Sequence, residues 1–185
     1  MNGVPRAPVE LAGAGFVLRA YTVADLAALR AVFADPEIAR WNAGPTEPAE
    51  IERWRARRND WTVGDHVSWA IGDPAGGLLG SVSVHQIDPA QDDAGIGYWI
   101  APAARGRGLA VRAVRLASRF GFEVLGLRRI YLHHAVGNQA SCRVATAAGY
   151  LLEGTLRQSH RYDDGLHHDE HLHARLAADA DPPAG

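Results

Sequence analysis

The segment from residue 95 to residue 122 constrains this sequence most, because it links a strand pattern to a long helix pattern through a loop of glycine and arginine. Residues 95–100 are apolar and predict a buried strand, which Pro102 ends. Gly106 and Gly108 lie in the loop just before the helix. The N–H groups of a helix's first turn have no partner within the helix and lie at its positive end, so glycines there let an anion approach closely. We therefore predict an anion site, suited to phosphate, in this loop.

The remaining pattern predicts a single mixed α+β domain over residues 1–185, in which a mostly antiparallel sheet is flanked by helices. Apolar runs predict strands at residues 15–20, 67–71, 78–87, 95–100, 129–135, 150–160 and 170–176. Helical spacing and caps predict helices at residues 22–35, 36–41, 47 or 48 to 58, 109–122 and 138–148. We expect an ordered core of about residues 12–177, with an untethered terminus before it and a polar tail after it.

Charge and cysteine content exclude several classes of protein. The formal net charge is -2, whereas a nucleic-acid-binding domain is normally strongly basic, so we expect no nucleic-acid partner. Cys142 is the single cysteine, which excludes an intramolecular disulfide and a multi-cysteine metal cluster and indicates a reducing compartment. All basic residues are arginine, so the lysine of a P-loop or of a pyridoxal-phosphate enzyme is missing. The sequence shows neither a leader pattern nor an apolar run of membrane-spanning length, so we expect a cytoplasmic protein that does not enter a membrane.

The loop Arg105-Gly106-Arg107-Gly108-Leu109-Ala110 resembles the acetyl-CoA pyrophosphate loop of the GNAT superfamily of N-acetyltransferases. Three further motifs stand at the family's spacing: Gly97-Tyr98-Trp99-Ile100-Ala101-Pro102, Asn138-Gln139-Ala140-Ser141 and Ala148-Gly149-Tyr150. Together they are similar to the RimJ/RimL-like branch, the type that acetylates the N-termini of ribosomal proteins, over residues 16–176. The resemblance implies the GNAT fold, whose sheet is splayed between the strand ending at Ile100 and the strand ending at Ala135, with the pantetheine arm in the gap.

The resemblance also implies a cofactor and the residues that hold it. The implied cofactor is acetyl-CoA, or another acyl-CoA, used as a co-substrate and without a metal. The implied cofactor-binding residues are Trp99, Ile100, Arg105, Gly106, Arg107, Gly108, Leu109, Ala110, Asn138 and Ser141. Ser141 is the implied proton donor to the departing thiolate, and Asn138 is the implied catalytic partner that meets the pantetheine or a bound water. Ser141 could equally be an ordinary first-turn serine, and Tyr150 is a weaker donor that is more typical of a core aromatic residue.

The general base is where the sequence departs from the family it resembles. The RimJ/RimL-like pattern usually has a glutamate two residues before the glycine of the Gly-Tyr-Trp motif, and this chain has Gly95 there. The remaining candidates, which would act through water, are His85, Asp92, Asp93 and His134. Each of them could instead be a structural or solvated residue, and positioning of the reactants alone could suffice.

Histidine and tryptophan give further signals outside these motifs. Residues 167–171 match the H-x-x-E-H string of a metalloprotease, but that string needs a helix and the following residues alternate with period two, which predicts a strand. We therefore expect no metal site, although His167, Asp169, His171 and His173 would share a strand face. Cys142 lies about 100° around the helix from Ser141 and is expected to be a buried structural thiol. Trp41, Trp54 and Trp61 could bind the acceptor, contact a second subunit or pack in the core, and we expect at least two of them to pack in the core. Arg112, Arg115 and Arg119 are expected to form a solvated helix face.

The function implied by the resemblance is transfer of an acyl group, expected to be acetyl, from acyl-CoA to a primary amine by direct attack in a ternary complex. The acceptor could be a protein N-terminus or a small amine, and the chain could be a monomer or a homodimer. A succinyl-CoA-dependent transferase and a non-catalytic CoA-binding sensor are the alternatives; Gly95 is the only sequence support for the sensor. A metal-dependent hydrolase would require the histidine string to bind zinc.

Overall fold

One eight-stranded sheet runs through the part of the chain that the structure describes, residues 3–182 of this computed structural model. The strands are β1 (Leu11–Gly13), β2 (Phe16–Arg19), β3 (His66–Gly72), β4 (Leu78–Asp88), β5 (Asp93–Ile100), β6 (Arg129–Ala135), β7 (Leu151–Arg161) and β8 (His167–Leu176). Their spatial order is β1-β2-β3-β4-β5-β6-β8-β7. Every neighbouring pair is antiparallel except β5 and β6, which are parallel. The mixed, mostly antiparallel sheet predicted from the sequence is confirmed.

Five α-helices cover the sheet: α1 (Leu26–Phe33), α2 (Pro36–Trp41), α3 (Pro48–Asn59), α4 (Leu109–Glu123) and α5 (Gln139–Ala147). Their starts follow local chemistry. A turn of 3-10 helix with a Thr22–Asp25 capping box precedes α1. The Asp35 carboxylate accepts a hydrogen bond from the Ile38 amide at 3.0 Å and caps α2. A proline occupies the first turn of both α2 and α3, as its fixed φ and missing N–H favour.

Two groups of buried side chains lie on opposite faces of the sheet, because successive residues of a strand point to opposite sides. Trp69 belongs to the group beneath α4, where it meets Trp61 and Phe120 edge to face, with ring centroids 5.1 and 5.2 Å apart. Its neighbour Ala70 belongs to the group beneath α1 to α3, which also contains Trp54 at its border. Trp61 and Trp54 therefore pack as predicted.

The sheet opens between β5 and β6. Their pairing covers three positions, Asp93 with Arg129, Ala94 with Ile130, and Gly95 with Tyr131. Beyond these pairs, the last five residues of β5 stay bonded to β4, and the end of β6 stays bonded to β8. The predicted splay is therefore confirmed, and it begins at Gly95.

The chain is tied to the core beyond the limits of 12–177 expected from the sequence. The structure corrects the interpretation of the first dozen residues as untethered, because β1 pairs with β2 and the Val9 carbonyl accepts a hydrogen bond from the Trp69 indole at 2.7 Å. β1 has only three residues, which are too few to show the alternation of apolar and polar side chains that predicts a strand. Near the other end, Asp181 forms a salt bridge of 2.6 Å with Arg175.

Two surface features complete the fold. In the arginine stripe on α4, Arg112 and Arg119 are exposed, as predicted, and Arg115 is half-buried. Arg112 donates to the Ala14 carbonyl at 2.5 Å, and Arg115 donates to the Ala147 carbonyl at 2.6 Å. The histidine string lies at the start of β8 and so has strand geometry, as predicted, rather than the helix that a metalloprotease requires. Within residues 3–182, no helix combines the length and the apolar character needed to cross a membrane.

Candidate active site

A cleft of about 610 Å³ lies where β5 and β6 separate. Its walls are α2, the end of β5, the loop before α4, and the first turns of α4 and α5. All the cofactor-binding residues predicted from the sequence line it except Arg107: Trp99, Ile100, Arg105, Gly106, Gly108, Leu109, Ala110, Asn138 and Ser141. Glu37, Trp41 and Tyr98 also line it. The fold thus brings together motifs that lie more than forty residues apart in the sequence.

The glycines of the loop have the backbone conformation that glycine favours. Gly106 has φ +74° and Gly108 has φ +65°, and Gly108 is the N-cap of α4. A Cβ added at either position would meet nothing within 4 Å, so these glycines are required by the backbone angle rather than by crowding. No side chain caps α4, and Leu109 and Ala110 line the cleft. The first-turn N–H groups of a fifteen-residue helix therefore open toward the cleft.

The two loop arginines bind the protein itself. Arg105 pairs with the Glu37 carboxylate of α2, and its Nε donates to the Ile100 carbonyl at 3.3 Å. Arg107 donates to the Ala103 carbonyl at 3.1 Å and lies outside the cleft lining. These bonds hold the loop against α2 and against the end of β5. Besides the Arg105 side chain, the loop presents its backbone amides to the cleft.

Two hydroxyl groups meet at the centre of the cleft. The Tyr98 hydroxyl and the Ser141 hydroxyl are 2.8 Å apart. Burial raises the pKa of Tyr98 to about 12, so its phenol is protonated at neutral pH. Ser141 is fixed by the N-terminus of α5, where the Asn138 side chain accepts a hydrogen bond from the Ser141 amide at 3.1 Å. Asn138 is thus the N-cap of the helix that carries Ser141.

Sequence reasoning missed Tyr98 as a site residue. Its motif was interpreted as part of a buried strand, yet alternation along β5 places Tyr98 on the face that carries Ile96 and Ile100, toward α4 and α5. The alternation was therefore the signal that could have found it. Tyr150, the weaker donor candidate, is a core residue whose hydroxyl bonds to Ser118 at 2.6 Å in the buried interior.

The His85 imidazole fills the space beside Gly95. The two residues are directly opposite in the β4–β5 register, and a Cβ added to Gly95 would lie 2.9 Å from His85 Nε2. A Cβ on Gly97 would lie 3.2 Å from His85 Cε1, so the ring covers both glycines. Burial lowers the pKa of His85, and the nearby positive charge of Arg58 lowers it further. The imidazole is consequently neutral at neutral pH.

The other three base candidates lie elsewhere. Asp92 and Asp93 are at the start of β5, where this strand still pairs with β6, rather than beside the open part of the sheet. His134 is buried, and its Nε2 lies 3.2 Å from the Nε2 of His173. Burial lowers the pKa of both His134 and His173. Of the four candidates, His85 is the one placed at the position of the missing glutamate.

A family model described as "Acetyltransferase (GNAT) domain" matches residues 16–151. That range covers well over half of the chain and runs from β2 to the start of β7, with the whole cleft inside it. The chain belongs to the GNAT acetyltransferase family.

Individual GNAT proteins are similar to this chain. YdaF of Bacillus subtilis, whose name assigns it provisionally to the ribosomal N-acetyltransferases, is 40% identical over 94 residues, 51% of each chain. The structure of Mycobacterium smegmatis RimJ in complex with CoA-disulfide has a TM-score of 0.79 at 23% identity, covering 88% of this chain and 82% of RimJ. Spermidine N-acetyltransferase from Vibrio cholerae in complex with CoA and spermine has a TM-score of 0.78 at 23% identity, covering 90% of this chain and 98% of that one.

These similarities confirm the resemblance to RimJ/RimL-like members of the GNAT family. At 23% identity the two solved structures establish that the fold is shared. The chain spans about half the length of the curated relatives that it matches.

Proposed function

We propose that this GNAT-family protein transfers an acetyl group from acetyl-CoA to a primary amine by direct attack in a ternary complex. One observation carries the proposal: the open part of the sheet joins an uncapped helix N-terminus, suited to phosphate, to the Tyr98–Ser141 hydroxyl pair within one cleft. The neutral His85 imidazole lies on the other face of β5. Cofactor anchor, proton donor and base are thus available from this chain alone.

The cofactor is bound by backbone groups. The amides of residues 106–110 hold the pyrophosphate, since they combine unpaired donors with the positive end of α4. The edge of β5 beyond Gly95 bonds to the amides of the pantetheine arm, as an extended ligand does when it adds to a sheet edge. Asn138 and Trp99 line the same cleft. Arg105 and Arg107 act by shaping the loop, through the bonds they make to Glu37 and to backbone carbonyls.

The departing thiolate receives its proton from the hydroxyl pair. Burial raises the pKa of Tyr98 to about 12, so its phenol is protonated at neutral pH and has a proton to give as the C–S bond breaks. Ser141 faces the cleft and gives its proton to the sulfur as the C–S bond breaks, and the Tyr98 proton moves to Ser141 along their 2.8 Å hydrogen bond. Water then returns a proton to Tyr98. The Asn138 cap keeps the Ser141 end of this relay in place.

The attacking amine loses its proton to His85. The base must accept a proton, and the lowered pKa of His85 keeps its imidazole neutral and able to do so. The ring lies over Gly95 and Gly97, beside the strand along which the thioester is presented. His85 is therefore our choice among the four candidates, acting on the amine directly or through one water.

A protein N-terminus is the acceptor that the charges favour over a polyamine. Relatives are named for acetylation of ribosomal protein and of spermidine. A polycation would need free carboxylates, but Glu37, the carboxylate of the cleft lining, is paired with Arg105. The base side carries the positive charge of Arg58 near His85. An α-amino group suits this setting, because its ordinary pKa of about 7.7 to 8.0 leaves a sizeable neutral fraction.

The test is a thiol-release assay with acetyl-CoA and a panel of acceptors. We expect peptides with a free N-terminus to release CoA faster than the same peptides with a blocked N-terminus, and faster than spermidine. Succinyl-CoA in parallel tests the alternative donor. Binding of CoA without release for any acceptor would contradict the proposal and support a CoA sensor. Faster release with spermidine than with any peptide would overturn the choice of acceptor alone.

A further inference from the structure

Four side chains from three elements meet between α5 and the sheet, next to the cleft. They are His134 on β6, Cys142 on α5, and His171 and His173 on β8. One ligand atom from each lies within 4.8 Å of all the others. His134 is directly opposite His171 in the β6–β8 register, and His173 follows two residues later on the same face. His134 and His173 are buried, and the other two are half-buried.

The hydrogen bonds of two of these imidazoles leave their lone pairs facing each other. His134 Nδ1 is 2.8 Å from the Ala135 carbonyl, and His173 Nδ1 is 3.4 Å from the Tyr150 carbonyl. A carbonyl can only accept, so in each ring Nδ1 carries the hydrogen, and Nε2 of a neutral ring carries the lone pair. These two Nε2 atoms are 3.2 Å apart. Two lone pairs at that distance repel each other unless a proton or a metal ion lies between or beside them.

A second observation points to the same place. Nδ1 of His171 is buried and has no hydrogen-bond partner within the residues that the structure describes. A buried polar atom without a partner is costly, and such exceptions in a native protein call for a missing water or ion. The Cys142 sulfur lies within reach of the same point.

We infer that His134, Cys142, His171 and His173 bind a zinc ion. Tetrahedral Zn²⁺ takes nitrogen at about 2.0–2.1 Å and thiolate sulfur at about 2.3 Å, so two nitrogen ligands lie about 3.3 Å apart. The observed separation of 3.2 Å already matches that value. The two backbone carbonyls are the outer partners that fix the ring tautomer in many zinc sites. The thiolate and imidazole set favours zinc over magnesium or calcium.

This zinc ion has a structural role. Four protein ligands fill a tetrahedral site and leave no open position, so the ion binds no substrate. It joins β6 and β8 to α5 at Cys142, the residue after Ser141, and thereby fixes the start of the helix that carries Ser141. The proposal revises the expectation of no metal site and the interpretation of Cys142 as a simple buried thiol. It does not depend on the proposed acetyl transfer, because its measurements need no turnover.

The test is titration of metal-free protein with Co²⁺ and then Zn²⁺, without CoA. We expect one equivalent of Co²⁺ to give the visible bands of a tetrahedral site and a thiolate-to-cobalt band, both removed by one equivalent of Zn²⁺. Cys142→Ser changes one atom and should abolish the thiolate band. His171→Gln, at a half-buried position, should lower Zn²⁺ affinity more than about 100-fold, because even outer partners of metal ligands are worth about 10- to 100-fold. Both variants are checked for folding by circular dichroism.

The matched control is His167→Gln, an exposed histidine on the same strand outside the cluster. It should keep the wild-type affinity and spectrum. No stoichiometric binding by the wild-type chain would overturn the proposal, as would an equal loss of affinity in His167→Gln and His171→Gln. A thiolate band that persists in Cys142→Ser would do the same.

Discussion

At the scale of single residues, His85 and Gly95 form one steric unit across two strands. A side chain at position 95 would begin 2.9 Å from the imidazole of His85, so a glutamate there and this histidine cannot both keep their places. In this chain the imidazole ring of His85 reaches the space beside position 95 from β4. In our proposal, the base that is missing from the sequence motif therefore comes from the neighbouring strand.

The first prediction concerns His85 as base. His85→Ala should lower kcat/KM about 100-fold, the lower end of the usual contribution of a general base, which corresponds to about 2.7 kcal/mol. The wild-type rate should fall at acid pH as His85 becomes protonated. Because the pKa of His85 is lowered, that fall should lie below the usual histidine value of 6.5. A pH–rate profile checks this, and His85→Ala should lack the acid limb.

The control for this prediction substitutes Gly95, which lies opposite His85 on β5. Gly95→Glu alone should destabilise the fold by about 1–3 kcal/mol, because the new Cβ crowds His85 and Tyr131. The double variant His85→Ala with Gly95→Glu removes part of that crowding and provides a carboxylate, so it should recover rate relative to His85→Ala. A wild-type rate in His85→Ala would remove His85 from the mechanism.

The second prediction concerns the hydroxyl pair of the cleft. Ser141→Ala and Tyr98→Phe should each lower kcat about 10- to 100-fold while changing CoA affinity by less than about threefold, because the proton is needed only as the thiolate leaves. Calorimetry gives the affinity, and steady-state kinetics give kcat. The chain offers a matched control in the buried Tyr150–Ser118 pair, 2.6 Å apart and outside the cleft. Tyr150→Phe should lower stability by about 1 kcal/mol and leave kcat unchanged.

At the scale of elements, the N-terminus of α4 combines a left-handed glycine cap with unpaired amides. The partial positive charge at this end comes from the aligned peptide dipoles of the whole helix. The two loop glycines, Gly106 and Gly108, allow an anion to approach that charge. Arg105 fastens the same loop to α2 through Glu37. Substitutions in the loop therefore test the electrostatics of the helix end separately from the conformation of the loop.

The third prediction compares two substitutions of Gly108. Both Gly108→Ala and Gly108→Glu place a side chain at φ +65°, at a similar backbone cost of about 1 kcal/mol. Only glutamate adds a negative charge where the pyrophosphate binds. Calorimetry should show CoA binding weakened about 10-fold or less in Gly108→Ala and lost in Gly108→Glu. Equal affinities of the two variants would contradict the anion site.

Some helices and strands could be predicted from the sequence, and others could not. The helix starts at Pro36 and near Pro48 were predictable because proline and the Asp35 cap act within a few residues. The three-residue β1 has no periodicity to detect. The proposed role of His85 depends on its pairing with Gly95. The strand register shifts between His85 and Asp88, so counting residues outward from the hairpin turn does not give that pairing.

The residues of the candidate site also include some that local motifs predict and others that they do not. The glycine loop and the α5 start are local motifs, and their residues line the cleft as expected. Alternation along β5 identifies Tyr98 as a site residue only in combination with the position of α5. The zinc ligands come from β6, α5 and β8, and no local spacing relates His134 to Cys142 or to His173.

At the scale of the whole molecule, the proposed zinc ion bridges three elements that follow the opening of the sheet. The fourth prediction is that its removal lowers thermal stability. At a free Zn²⁺ concentration 100-fold above Kd, binding contributes about 2.7 kcal/mol. For a chain of this size, that corresponds to a fall in Tm of about 5–10 °C after treatment with a chelator. Calorimetry checks it, and Cys142→Ser should show a much smaller response to the chelator.

The pairing of β5 with β6 ends after three residues, and this divides the sheet into a five-stranded part and a three-stranded part. In the described chain, the stretch from Ile96 to Ile100 has no strand partner on its β6 side. A bound pantetheine arm would act as a short guest strand along that edge. CoA should then slow hydrogen exchange of cleft-facing amides in both parts at once, so the substrate completes the sheet that binds it.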